Sequence, residues 1–581
     1  MLALWGVAVA MTGGIDARLA GIPIRSRDPW RPLAAALVLF VVASALDRPG
    51  TTRLFDRAGA WLRAHAPALV FAAAAALALH GVVFGTFSVG GSDAYGYVNQ
   101  AYDWFEGRLP RPLPLALTLP FETSDDMQVP LGYRVGQQPH TAVPTYAPGL
   151  PLLMAMSLAA GARGPFFVVP IAAAMFVWFT FRLGALAGGT AAGLVAAVVL
   201  ITSPVVLYQA VWPMSDIPSG ALWTASLVCA YGSSRRSAAA AGLTAALGLL
   251  VRPNLILVAA VPALTLAVRA SGRDRWIRCA LYGLPILPVL AAVWTLNTMW
   301  FGAPTNTGYG STDELYQAAN IWPNVRLNAA WLWESQGPWL LLALVPLVPP
   351  FGRVVDRRVL AMCVLLGIAT FASYASYAQF EVWWYLRFLM PAFGALAVLV
   401  AAGLVAIART IAQPFGRLAA AAALCLMVAS TLSFASAKHV FGGIQAGERR
   451  YVDVGEFAAD RLPANAALFA VQQGGSLRFY SGRVTLRFDS VRPEWAPGVP
   501  AAVERAGYHP YLVADDAEMP QVRRQFGIAA DAPLPWPIAA RMRELGGITI
   551  FDMASHPEAS GPIALEPVTR RWRDVRPRAR S

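Results

Sequence analysis

Five charged side chains stand where apolar runs of the sequence end, and they are of two complementary kinds. Asp93 lies in SVGGSDAYGYVNQAYDWFEGRLP (residues 88–110) and Asp216 in VWPMSDIPSG. Arg252 lies in LLVRPNLILV, and Glu381 and Arg387 in AQFEVWWYLRFLMP. Tyr95 and Tyr97 follow Asp93 directly, and Tyr309 falls in TNTGYGSTDELY. Acids, arginines and aromatics at one membrane surface suit an enzyme acting on a lipid-borne substrate. Each residue also has a plainer reading. Ser92 or Asp93 is a good N-cap for a helix with Val98, Ala101, Tyr102 and Phe105 on one face, stopped at Gly107. Asp216, before Ile217-Pro218, can cap the next helix at its proline-bearing first turn. Arg252 and Arg387 can snorkel to an interface. WWYLRF reads as an interfacial aromatic belt, Tyr309 as a turn residue, and His140 is too isolated to assign.

The segments that must position these residues are those of a membrane protein. The 581 residues are 57% hydrophobic and 14% charged, with mean hydropathy +0.50; soluble domains carry roughly 25% charge. The net charge of +13 comes mainly from arginines clustered between apolar runs, which suits membrane orientation and argues against a nucleic-acid surface. Cys229, Cys279, Cys363 and Cys425 all sit within apolar runs, so no disulfide framework is readable. The six histidines form no HxxH or HExxH pair, which argues against a histidine-built zinc site. MLALWGVAVAMTG at the start lacks a basic n-region and reads as a short first span rather than a signal peptide.

Further apolar runs lie near 33–47, 67–86, 164–182, 187–207, 218–234, 238–252, 255–269, 277–300, 337–352, 359–379, 385–408 and 415–436. Arginines at 235/236, 269/273/275/278, 353/357/358 and 409/417 occupy every second short loop. The positive-inside rule places those loops in the cytoplasm. The 87–163 loop, the turns at Asp216, Arg252 and Glu381, the 301–336 loop and everything after 437 then face outward. The 15–32 loop, with Arg18, Arg25, Arg27 and Arg31, is in tension with this scheme. Residues 146–161, YAPGLPLLMAMSLAAG, are short and proline-broken, and read as a helix at the outer interface or re-entering it. After about 440 the composition becomes soluble. ALFAV, RVTLRF, YLVAD and ITIFD read as strands between polar helical patterns, a small α/β domain able to hold its own core. The tail RRWRDVRPRARS reads as disordered.

Taken in order, these pieces resemble the polytopic GT-C glycosyltransferases, among them the protein O-mannosyltransferases and the lipid A aminoarabinose transferases. The matching stretches are GGSDAYGYVNQAYDWFEG, YAPGLPLLMA, SPVVLYQAVWPMSDIPSGALW, GLLVRPNLIL and WYLRFLMPAFGAL, within roughly 65–410. The resemblance implies a polytopic α-helical fold of about 11–13 spans with a small extracytoplasmic α/β domain. It divides the chain into an N-terminal hydrophobic hairpin (1–64), a catalytic membrane region (65–436) and the soluble part (437–581). It implies inverting transfer of a monosaccharide from a polyprenyl-phosphate donor to a hydroxyl of a glycan, lipid or protein, at the outer face of the cytoplasmic membrane. Asp93 matches the general base and Asp216 is a second acidic candidate. Arg252 or Arg387 would hold the leaving phosphate, and Tyr95, Tyr97, Tyr309 and Glu381 would line the site. The first-loop acid is SDAY rather than a paired Asp-Glu, so no cofactor is assigned and a divalent metal stays open. The expected partners are the lipid-linked sugar, its acceptor and the membrane, with no nucleic acid. The alternatives are a transporter or flippase of a lipid-linked saccharide, which needs polar residues along its spans, and a saccharide polymerase or ligase.

Overall fold

In the computed structural model, residues 2–12, 14–19, 22–113, 115, 119–542 and 547–555 are described; the arginine-rich tail lies outside them. The chain forms two compact units, one of residues 1–85, 169–291 and 313–442 and the other of 86–168, 292–312 and 443–581.

The first unit is helical. Among the described residues, five helices, wholly or mostly in this unit, are long and apolar enough to cross a membrane: Ala66–Val83, Pro165–Gly188, Gly272–Phe301, Trp383–Thr410 and Phe415–Ala437. This is a multi-pass membrane protein. The remaining apolar runs are shorter or broken. Thr190–Thr202 and Pro204–Ala210 meet at 64°, because Pro204 lacks the N–H that would continue the ladder and constrains Ser203 before it. Asp216–Ala230, Arg235–Val251 and Arg357–Ala372 have 15, 17 and 16 residues. Pro253 ends the second of these in a 3-10 stretch, Pro253–Ala259. Leu183, Trp223, Leu249, Leu366 and Val398 are buried together and form much of the core. At the N-terminus the first helix, Leu2–Thr12, has 11 residues, short of the ~20 a usual span needs. A hairpin of Ile15–Leu19 and Ile22–Ser26 follows.

The second unit is built on a five-stranded sheet. Its order is Val484–Leu486, Ala466–Phe469, His509–Asp515, Ile548–Asp552, Ile538–Met542; the first three strands are parallel and the last two antiparallel. Four of these strands are those expected from the sequence. The central strand Ala466–Phe469 is apolar and buried at every position because both of its faces are covered. Ala466, Leu468, Tyr511, Val513, Ile548 and Ile550 face Val454, Phe457 and Ala458 of the helix Gly443–Arg461. The alternate residues Ala467, Phe469, Leu512 and Ala514 pack with Leu115, Leu119 and Met127. The segment after Asp93 therefore completes the core of the C-terminal sheet. A smaller antiparallel sheet joins Arg111–Pro112, Thr141–Pro144 and Tyr133–Val135. The 146–161 segment becomes a helix, Gly149–Ser157, and a 3-10 turn, Leu158–Ala160, too short to span.

Candidate active site

Asp93 opens the helix Asp93–Glu106, which ends at Gly107 in the left-handed region. Ser92 occupies the N-cap position without a side-chain capping bond. Its hydroxyl instead meets the Tyr146 hydroxyl at 2.8 Å, and Tyr146 donates to Asp93 Oδ1 at 2.6 Å. Burial first, and then the Asp93 carboxylate, hold the Tyr146 phenol well above its ordinary pKa, so it remains a donor. The Tyr97 ring lies 4.5 Å from that of Tyr146, and Tyr309 meets it edge-on at 5.8 Å. Gly96 makes this possible: a Cβ there would sit 2.0 Å from Tyr146 Cε2. Tyr146 is thus the hub joining Asp93, Tyr97 and Tyr309. It lies within the TYAPG stretch, yet nothing in its sequence spacing relates it to Asp93, 53 residues away.

A cavity of about 520 Å³ opens beside this hub, with Ser92, Tyr146, Tyr133, Arg134, Asp126 and Tyr309 in its wall. Tyr133 is fixed from behind, donating to the buried Asp103 carboxylate at 2.6 Å, and Asn99 donates to the Tyr133 hydroxyl at 2.7 Å.

The floor of the Asp93 loop comes from the C-terminal segment. Ser88 Oγ donates to the Glu448 carbonyl at 3.1 Å, and the Val89 amide donates to the Tyr480 hydroxyl at 2.9 Å. A Cβ on Gly90 would stand 2.2 Å from the Tyr451 ring, so the close approach this glycine allows is to Tyr451. Tyr95 is fully buried with its ring against Gly475, inside the unit rather than at the cavity surface.

The other predicted residues gather in the first unit. Asp216 opens its helix, and its carboxylate accepts from Arg252 Nη2 at 2.6 Å, with both side chains buried. Arg252 also donates through Nε to Ser215 Oγ at 2.9 Å and through Nη1 to the Tyr374 hydroxyl at 3.1 Å. Arg252 and Arg387 lie over the same Phe388 ring, at 5.8 and 5.4 Å. Arg387 Nη1 contacts Met214 Sδ at 3.0 Å. Glu381 is exposed just before the 3-10 helix Trp383–Leu389. The WWYLRF aromatics pack inward: Trp383 is buried edge-on to Phe434 at 5.3 Å, and Trp384 stacks on Tyr208 at 5.6 Å. No group of three or more His, Cys, Asp or Glu able to hold a metal ion occurs among the described residues. At the Asp93 carboxylate stands the Tyr146 phenol, itself bonded to the Ser92 hydroxyl.

Comparison of the sequence with protein families and with curated proteins gives no match. Solved structures do match. ArnT from Cupriavidus metallidurans bound to undecaprenyl phosphate has a TM-score of 0.53 at 12% identity, over 85% of this chain and 100% of that one. Its apo form gives 0.51 at 12% identity, over 86% and 100%. The arabinofuranosyltransferase AftD from Mycobacteria gives 0.49 at 14% identity, over 84% of this chain and 40% of that one. The fold is that of the GT-C glycosyltransferases. At such identity the likeness is one of fold. The GT-C resemblance read from scattered motifs thus holds at the level of architecture, a membrane helical part with a small sheet-containing C-terminal region.

Proposed function

We propose that this protein is an inverting membrane glycosyltransferase that moves a monosaccharide from a polyprenyl-phosphate donor to a hydroxyl acceptor. The observation that carries the reading is the Asp93 carboxylate, held by the Tyr146 hydroxyl beside a cavity large enough for a small saccharide. In the reaction, the acceptor hydroxyl attacks the anomeric carbon, its proton passes to the Asp93 carboxylate, and the bond to the lipid phosphate breaks. A carboxylate fixed by a second-residue hydrogen bond is already oriented when the hydroxyl arrives, which is the geometric requirement of a general base. Tyr97 and Tyr146 support it, Tyr309 faces the substrate, and Tyr95 packs the helix in place.

The leaving phosphate gains charge as the bond breaks and needs fixed cations. Arg252 and Arg387 are the candidates, with Asp216 anchoring Arg252 and the exposed Glu381 a further candidate for the lining. The arginine pattern supports an outward-facing site at the cytoplasmic membrane, in bacteria the periplasmic face. The reading is tested by giving the purified protein radiolabelled polyprenyl-phosphate sugars, hexosyl and pentosyl, with and without a hydroxyl acceptor. Consumption of one donor, with the label transferred, is the expected result. If label crosses a vesicle bilayer still attached to its lipid, the chain is a flippase.

A further inference from the structure

Not all the charged side chains lining the cavity beside Asp93 have a partner among the described residues. Arg134 projects from the strand Tyr133–Val135, is exposed, and makes no hydrogen bond or ion pair with the described residues. The second arginine of the lining, Arg487, is held by Asp489 through Nε at 2.9 Å and Nη2 at 2.5 Å. Asp126, the acid of the lining, likewise has no side-chain partner among the described residues. Tyr309, 44% exposed, presents an aromatic surface to the same space. Ser92 and Tyr146, the two residues bonded around Asp93, form the adjoining wall. A molecule in this cavity therefore lies next to the group that would take its proton.

These features describe a ligand. An aromatic wall suits the apolar face of a sugar ring, a carboxylate accepts from sugar hydroxyls, and an uncommitted guanidinium grips a carboxylate or phosphate with its fork. We propose that this cavity is the acceptor subsite and that the acceptor is an acidic saccharide, its anionic group held by Arg134. Asp126 takes a hydroxyl of the same saccharide and Tyr309 stacks on its ring. The inference rests on the glycosyltransfer reading above and adds the chemical class of the acceptor to it.

Binding of three disaccharide probes to the detergent-solubilised full-length protein, by titration calorimetry without donor, provides the test. The probes are digalacturonate, neutral galactobiose and galactobiose 6-phosphate. At least one acidic probe is expected to bind about 10-fold or more tighter than the neutral one, the worth of one charge-assisted hydrogen bond. The tighter of the two acidic probes identifies carboxylate or phosphate as the group recognised. Arg134→Ala should bring the acidic probes down to the neutral level, and Arg134→Lys should retain part of the preference. Tyr309→Ala should weaken all three by a similar factor. Equal binding of neutral and acidic probes, or a preference that survives Arg134→Ala, overturns the assignment. Because no donor is present, that failure leaves the transfer reading standing. An intact acidic preference with no donor ever consumed sinks the transfer reading alone.

Discussion

At the residue scale, the question left by the sequence was whether Asp93 caps a helix or removes a proton. The structure gives it a partner rather than a cap: Tyr146 donates to it at 2.6 Å. Asp93→Asn keeps the shape and a hydrogen bond but cannot take a proton. Turnover should fall about 10²–10⁴-fold while the melting temperature stays within a few degrees; near-normal turnover with lowered stability would return Asp93 to a capping role. Tyr146→Phe should cost less, since it loosens the carboxylate without removing it. Arg252 calls for a different expectation from a simple phosphate ligand. Its guanidinium is tied to Asp216, Ser215 and Tyr374 in a buried site. Arg252→Ala leaves the Asp216 carboxylate buried without its counter-charge, and breaking such a pair typically costs about 3–5 kcal/mol. Thermal unfolding in detergent should show that loss, whereas Arg387→Ala should keep the fold and raise the donor KM. An Arg252→Ala protein as stable as the parent would mean that the pair carries little of the fold. The acids and arginines were legible because charges are conspicuous at the ends of apolar runs. Tyr146, Tyr374 and Phe388 were not, since a tyrosine or phenylalanine among many has no local signal until distant segments meet.

At the scale of elements, the strands were legible and their cover was not. Period-two side-chain geometry makes a strand such as ALFAV, apolar at each position, a two-faced core strand. That pattern says both faces are covered but does not say by what. One face is closed by the neighbouring helix Gly443–Arg461, while Leu115, Leu119 and Met127 pack on the other. This contact is not local in sequence. The same helix supports the Asp93 loop, and it carries a titrating group. Burial pushes Glu448 up to about 7 from 4.5, with Arg450 opposing. Arg450 itself reaches Asp515 at 3.3 Å and donates to the Tyr451 hydroxyl at 3.2 Å. A folded-state pKa above the unfolded one means the folded form holds the proton more tightly. The associated stability is full below about 4.5 and is lost as pH rises through about 7. The loss should be on the order of 3 kcal/mol, from ~1.4 kcal/mol per pH unit over that shift. Hydrogen exchange of residues 443–461 at pH 5 and pH 8 should show faster opening at pH 8, and Glu448→Gln should remove most of the difference. An unchanged pH dependence in that variant would assign the effect elsewhere.

At the scale of the whole molecule, hydropathy located the apolar runs but not their bends. The run near 187–207 is broken at Pro204 into helices meeting at 64°, and the run near 255–269 begins as a 3-10 stretch after Pro253. Hydropathy averages over a window and is insensitive to a missing N–H, so a bent pair reads as one span. Orientation rests on a different signal, the arginines in alternate short loops, and can be tested with single cysteines in a protein freed of its four native ones. Ser233, beside Arg235 and Arg236, and Ala464, between the helix Gly443–Arg461 and the strand Ala466–Phe469, are both exposed. The positive-inside rule places Ser233 in the cytoplasm and the C-terminal part outside. On intact cells stripped of any outer wall barrier, a membrane-impermeant maleimide should label Ala464→Cys and leave Ser233→Cys unlabelled until the membrane is opened. The helix Asp93–Glu106 packs in the same compact unit as residues 443–481, so labelling at Ala464 also reports the side on which Asp93 works. The reverse pattern would put Asp93 on the cytoplasmic side and overturn transfer at the outer face. Labelling of both sites before the membrane is opened would show that the arginine pattern does not set the orientation of this chain.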